Sequence, residues 1–455
     1  MIHYLKISNF GPVNEMVELN FETVAETESA DDLYSVQMTD GVQLLKLAYI
    51  YGANASGKTT ILKAFEFLRE LLLKPLPDKS AQLDYQPFLF RSEPLIKPSA
   101  IELAFYSSET RYVYYVEFNT EAIISEKLHF FHSAKPTEVF NRETDLESRV
   151  VQIKFGNRIK VPAKERDRLE SNTLHNNTVL GAFTKTNADI PELNALNLWL
   201  NSFLLGIVTI DSPLIETTAE MIAADRSANA WLDAFMNKAD RQIGHVQADQ
   251  EKSLSPRSRN SKGSSLKDLL PQGSFQMEAG IRVNGMLLST PKYFGGGDIF
   301  NFERKVNITH RTAQGAFELP IEAESKGTQR YFALGGPLYT LVHRPSILLI
   351  DELEASLHPD LMKHFLQTFL ANAGASQMLI TTHNIALMEE TDFIRRDALW
   401  FSEKRDDGSV DLYSAADFDT SKLRKASSLI NAYRSGKLGA KPNLGSPYIS
   451  EQNEK

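Results

Sequence analysis

Apolar residues alternate with polar ones along the first stretch of the chain and then change spacing. Ile2, Tyr4 and Leu5 give way to the turn Asn9-Phe10-Gly11, which predicts an opening strand. "SAIELAFYSS" and "RYVYYVEFN" are rich in aromatic and β-branched residues around the turn "SSET", and predict a pair of strands. "KLHFFHS" and "VVQIKFGNRIKV" continue that texture. One helix interrupts it. The apolar run "LKLAYIY" leads through a glycine-bounded loop into "TTILKAFEFLRELLL", where Ile61, Leu62, Phe65 and Leu68 keep helical spacing.

From about residue 162 to 245 the three-and-four spacing dominates. "ELNALNLWLNSFLLGIV" and "AEMIAADRSANAWLDAFMNKADRQI" both read as helices. Residues 250–268, "QEKSLSPRSRNSKGSSLKD", have almost nothing to bury. They read as a flexible surface loop, or as a basic arm through Arg257, Arg259, Lys262 and Lys267. Strands resume at "FQMEAGIRVNGMLLS". Two short apolar runs follow, Ile347–Ile350 and the start of "SQMLITTHN", each with the character of a buried parallel strand.

At 455 residues the chain exceeds one ordinary core, so two or three lobes are expected. Apolar content of 42% and charged content of 24% are those of a folded globular protein. The formal charge of −9 gives no global argument for nucleic acid. With no cysteine, disulfides and cysteine zinc sites are excluded, and a reducing, cytoplasmic setting is expected. No run is long enough to span a bilayer, and "MIHYLKISNFGPV" lacks the apolar region of a signal peptide.

The loop "GANASGKT" fits the phosphate-loop pattern, with Gly52, Gly57, Lys58 and Thr59 at the required spacing. Glycines let successive backbone N–H groups, including those of Asn54 and Ser56, curl toward phosphate oxygens. Lys58 is placed for the β- and γ-phosphates, and the Thr59 hydroxyl for Mg²⁺, with Thr60 following in the helix. In "PSILLIDELEASLHPD" the strand ends in Asp351 and Glu352. Asp351 is the second anchor for Mg²⁺, and Glu352 is placed to polarise the attacking water. In "SQMLITTHN" His383 follows the next core strand and is placed to sense the γ-phosphate. In "AESKGTQRYFALGGPLYTL", Ser325 and Gly327 open a helix and form a second anion-binding end. One nucleotide needs only one such end, so the second is expected to serve a neighbouring subunit.

Phosphate loop, Ser-x-Gly turn, acid pair and histidine follow in the order of ABC-type ATPase heads. The chain resembles that superfamily, and within it the RecF, SMC and OLD-like branch. "LKISNFGPV", "ESKGTQR", "DELEASLHP", "TTHN" and "YRSGKLGAKPNL" carry the resemblance to bacterial stand-alone OLD-like ATPases. It covers roughly residues 1–130 and 276–445. It implies an α/β fold: an ABC-type ATPase head with a mixed β-sheet core, an antiparallel β subdomain and an inserted helical region. The expected division is an N-terminal lobe at 1–130, an inserted region at 131–275, a C-terminal lobe at 276–405 and a tail at 406–455.

The resemblance also implies a head-to-tail homodimer, or higher homo-oligomer, around ATP and Mg²⁺. Lys58, Thr59, Asp351, Glu352 and His383 would act in cis, and Ser325 and Gly327 on the other subunit's γ-phosphate. Ser356 and His358 correspond to the dimer-contact loop, and Gln86 to the loop glutamine that senses Mg²⁺ and the γ-phosphate. Asn9 and Phe10 would lie near the base or α-phosphate. Sustained heptads are missing, so long coiled-coil arms are not expected. Too little chain follows His383 for a Toprim nuclease domain, and "RDD" at 405–407 falls in a hairpin turn. The leading expectation is an ATPase that regulates an effector protein, a nuclease or toxin from a neighbouring gene, in anti-phage defence. The alternative is a RecF-like clamp that binds DNA when ATP-bound.

Overall fold

Continuous apolar runs become central strands, and alternating runs become a sheet with one wet face. The structure is a computed structural model that describes residues 1–24, 31–133, 135–252, 282–283, 286–287, 302–389, 394–418 and 427–441. Its first strands are β1 (Ile2–Ser8), β2 (Val17–Asn20), β3 (Ser35–Gln37), β4 (Gln43–Leu45) and β5 (Leu47–Tyr51). Next come β6 (Ser99–Ser107), β7 (Thr110–Phe118), β8 (Ile123–Phe131), β9 (Thr137–Asp145), β10 (Val150–Phe155), β11 (Leu204–Val208) and β12 (Ile243–Lys252). The last are β13 (Arg282–Val283), β14 (Met286–Leu287), β15 (Phe302–Thr312), β16 (Gly315–Pro320), β17 (Ile347–Ile350), β18 (Gln377–Thr382), β19 (Leu399–Lys404) and β20 (Val410–Ser414). The α-helices begin with α1 (Asp31–Tyr34), α2 (Lys58–Leu73), α3 (Ala163–Asn172), α4 (Val179–Phe183) and α5 (Pro191–Ser202). They continue with α6 (Leu214–Ala224), α7 (Arg226–Ala239), α8 (Lys326–His343), α9 (Pro359–Asn372) and α10 (Ser427–Arg434).

The central sheet has the order β11-β17-β18-β5-β19-β20. Its first five strands are parallel, and β20 runs antiparallel on the edge. β5 and β17 are buried at every position, as strands covered on both faces must be. An antiparallel sheet of order β10-β9-β8-β7-β6-β1-β2 lies beside it, and β7 alternates buried and half-buried residues. A third sheet, β12-β15-β16, packs against α6 and α7. Gln377 and Lys46 join the layers. The Gln377 amide donates to the carbonyls of Ile2 and Leu45, and Lys46 donates to those of Leu370 and Ala373.

Three expectations change. The antiparallel sheet runs on through β9 and β10, so its strands cross the boundary expected at 130. The helix expected across "ELNALNLWLNSFLLGIV" stops at Ser202, and Leu204–Val208 is a strand parallel to β17. A short buried apolar run has no period that separates helix from strand, and pairing with β17 decided it. The region between the lobes therefore supplies a strand to the central sheet. The boundary at 405 also falls inside a hairpin, because β19 and β20 pair across the Asp407-Gly408 turn. Arg257, Arg259, Lys262, Lys267, most of "FQMEAGIRVNGMLLS" and the chain beyond Lys441 lie outside the described residues.

Candidate nucleotide site

β5 delivers the chain into a loop that only glycine permits at two places. A Cβ on Gly52 would stand 2.4 Å from the Ser402 carbonyl oxygen and 2.4 Å from Ser56 Oγ. Gly57 has φ +92°, and a Cβ there would also meet Val410. No side chain caps α2, which leaves first-turn N–H groups for an anion. Lys58 Nζ folds back over the loop and donates to the carbonyls of Gly52 (2.8 Å) and Ala53 (2.9 Å). Burial pulls its ammonium below the ordinary lysine range, while Glu354, Glu352 and Asp351 oppose that shift.

Asp351 follows β17, two strands away from β5 with β18 between them. The Thr59 hydroxyl lies 2.9 Å from Asp351 Oδ2 and 3.2 Å from Oδ1. Thr381, near the end of β18, fixes this corner. Its hydroxyl donates to Asp351 Oδ1 at 2.6 Å and accepts the Glu352 backbone N–H at 2.9 Å. Glu352 has φ +53°, a costly conformation for a residue with a side chain, and its carboxylate is exposed. The turn thus points Asp351 at the loop and Glu352 elsewhere.

His383 stands just beyond β18, against Glu354. Its backbone N–H donates to Glu354 Oε1 at 2.7 Å, and its Nδ1 is 2.6 Å from the same oxygen. The motif pattern assigns no role to Thr381 or Glu354. The sequence signal for Glu354 is its place as the third acid of "DELEAS". That for Thr381 is only its place two residues before His383.

Ser325 caps α8, accepting the Thr328 N–H at 3.1 Å, and is exposed. Gly327 faces the loop after the acids, where an added Cβ would lie 3.2 Å from the Ser356 carbonyl oxygen. Ser356 is exposed with φ +64°, and His358 caps α9 through the Asp360 N–H. Gln86 has an exposed side chain, and its carbonyl accepts the Gly11 N–H at 2.7 Å. Gly11 in turn abuts Thr60, so this segment reaches the start of α2.

Asn54 is exposed on the loop. Ser56 is buried, and its Oγ has no partner among the described residues. Asn9 and Phe10, expected near the base or α-phosphate, have their side chains engaged within the fold. The Asn9 amide is buried and spent on Lys97, Phe88 and Arg91, and Phe10 packs on Phe67 and Tyr85. Asn9 holds the 86–99 segment from inside, and Phe10 packs between α2 and Tyr85.

These residues fit a Mg²⁺–nucleotide. A hydroxyl and a carboxylate already in contact are hard oxygen donors of the kind Mg²⁺ takes together with phosphate oxygens and water. Among the described residues no cluster of three or more acids and histidines could hold a metal unaided. No described helix is long and apolar enough to cross a membrane.

The family described as "AAA domain, putative AbiEii toxin, Type IV TA system" matches residues 47–389. No curated protein matches. Among solved structures the chain is similar to an SMC head domain from Thermotoga maritima, at 12% identity and a TM-score of 0.39, over 91% of this chain and 98% of that one. It is also similar to an Smc head with an extended coiled coil, bound to the C-terminal domain of ScpA, derived from Pyrococcus furiosus. There the identity is 12% and the TM-score 0.41, over 95% of this chain and 99% of that one. Likenesses this distant transfer no residue roles.

Proposed function

The chain belongs to the AAA-domain family whose model spans residues 47–389, and from that premise we propose that it hydrolyses ATP at a site completed by a second copy of itself. The observation that carries this reading is the contact of Thr59 with Asp351, which brings the phosphate loop and the acid pair into one site. In it, Lys58 and the open first turn of α2 hold the β- and γ-phosphates. Thr59 and Asp351 would hold Mg²⁺, which when bound would supply neutralisation of charge on those phosphates. Glu352 takes the proton of the attacking water as its oxygen bonds to the γ-phosphorus and the bond to the β–γ bridging oxygen breaks. The exposed Ser325 helix end of the second copy offers N–H groups to the γ-phosphate.

The output passes to a partner protein. Support comes from the resemblance to stand-alone OLD-like ATPases and from the toxin system in the family's description. An effector nuclease or toxin restrained in anti-phage defence is the role this favours. Of the basic residues a DNA clamp would draw on, Arg257, Arg259, Lys262 and Lys267 lie outside the described residues, and those from Lys154 to Arg168 are exposed but interleaved with Glu165 and Asp167, which gives that alternative no advantage over the effector reading.

The test mixes Lys58→Ala chains with Ser325→Arg chains. Each is expected to be inactive alone, and the mixture to regain ATP turnover because each heterodimer rebuilds one composite site. Heterodimers that form without any regain would overturn the shared site. Affinity capture of Glu352→Gln protein with ATP from the host, scored for protein and nucleic acid together, tests the output. A stoichiometric protein supports the effector reading, and DNA alone overturns it in favour of the clamp.

A further inference from the structure

The third acid of the "DELEAS" turn has no place in the mechanism above, yet it is built into the site more firmly than Glu352. The Glu354 side chain is only 10% exposed. Its Oε1 receives two groups of His383, the backbone N–H and Nδ1. An oxygen that already accepts the backbone N–H is matched at the ring by an Nδ1–H donor, and this contact favours the proton on Nδ1. The imidazole is thereby left with Nε2 on its outer side, and the His383 side chain is 56% exposed. Glu354 Oε2 is buried with no partner among the described residues, and so is the hydroxyl of Tyr51, the last residue of β5 before the loop. A buried polar atom left this way calls for a reason.

We propose that Glu354 is the positioning residue for His383, selecting its Nδ1–H form and aiming Nε2 at the γ-phosphate of bound ATP. The three acids then divide the work. Asp351 faces the Thr59 hydroxyl, Glu352 stays free for water, and Glu354 orients the histidine. The ends of β17 and β18 become one unit, joined through Thr381 on one side and the Glu354–His383 pair on the other. The arrangement follows the logic of a carboxylate behind a histidine, which fixes tautomer and direction without meeting the substrate. This inference rests on the ATP-hydrolysing reading of the site.

The test uses the full chain with ¹⁵N-labelled histidine, and His383→Gln protein to identify the His383 ring signals. The wild type is expected to show the Nδ1–H form, and its Nε2 signal to shift with a non-hydrolysable ATP analogue but not with ADP. In Glu354→Ala the ring should revert toward the Nε2–H form and the analogue-dependent shift should vanish. Its kcat should fall roughly ten- to a hundred-fold, as loss of an orienting partner commonly does, with ATP affinity within about three-fold. Glu354→Gln keeps an acceptor oxygen and should retain the tautomer with partial activity. It also carries the test if the alanine variant does not fold. An unchanged tautomer and kcat in Glu354→Ala, or a wild-type ring indifferent to the analogue, overturns the proposal. A wild type that binds ATP without turnover sinks the hydrolysis reading instead, and the ring signals still decide the role of Glu354.

Discussion

The Thr59 hydroxyl and the Asp351 carboxylate, 292 positions apart in the chain, stand 2.9 Å apart in the fold. The parallel neighbours β17, β18 and β5 bring them together, because all three strands end at the same edge of the central sheet. Ligand sites of open α/β sheets lie at the carboxyl ends of the strands for this reason. The phosphate loop is one half of a site whose other half arrives with β17.

Thr381 is the first place to test that geometry. Its hydroxyl holds both the Asp351 carboxylate and the Glu352 backbone. Thr381→Val keeps the shape and removes both bonds. It should lower kcat by roughly ten- to a hundred-fold, the usual cost of an outer-shell partner, and raise the Mg²⁺ concentration for half-maximal turnover. Steady-state assays across a Mg²⁺ titration check this, and an unchanged Mg²⁺ dependence would remove Thr381 from the site.

Glu352→Gln keeps the volume of the exposed side chain and removes its basicity. Turnover should drop by about two to four orders of magnitude, the range of general-base loss, while ATP still binds. Light scattering should then find an ATP-dependent dimer that persists. A variant that stays monomeric with ATP bound would separate nucleotide binding from dimerisation.

Helix α8 approaches α6 closely through glycine. A Cβ on Gly336 would stand 2.4 Å from Thr218 Oγ1 and 3.3 Å from its Cα. That same hydroxyl donates to the Ala333 carbonyl at 2.9 Å. Gly336→Val should therefore destabilise by about 1–3 kcal/mol through overpacking, read as a lower denaturation midpoint. A wild-type midpoint would show that α6 moves aside without cost.

Glu126 gives the antiparallel sheet a pH signature. Burial pushes its carboxyl up to about 7, against the pull of Arg142, the Val179 N–H and the Tyr114 hydroxyl. The folded state then holds this proton more tightly than the unfolded chain. Its contribution to stability is full below the ordinary glutamate range and is lost as pH rises through about 7. Unfolding free energy should fall across that window by at most about 1.4 kcal/mol per pH unit from this group. Glu126→Gln should remove that slope, and an identical slope in the variant would assign the proton elsewhere.

The sequence by itself determined the loop, the acid pair and the strand-to-helix switch around them. These depend on local chemistry: glycines where a Cβ has no room, an apolar run long enough for one buried strand, and helical spacing after Lys58. It also placed the hairpin at Asp407-Gly408, because that turn needs a residue tolerant of positive φ, and Gly408 has φ +80°. Tertiary structure alone decided the rest. Leu204–Val208 carries no period of its own and became a strand only because β17 offered an edge to pair with. Asn9 and Phe10 sit in a local turn pattern, but Lys97 and Phe88 engage the Asn9 amide and Tyr85 and Phe67 pack on Phe10. Glu354 and Thr381 read as ordinary residues of their motifs until β17 and β18 lie side by side. Their partners come from another strand, and no spacing along one chain segment encodes a contact across a sheet.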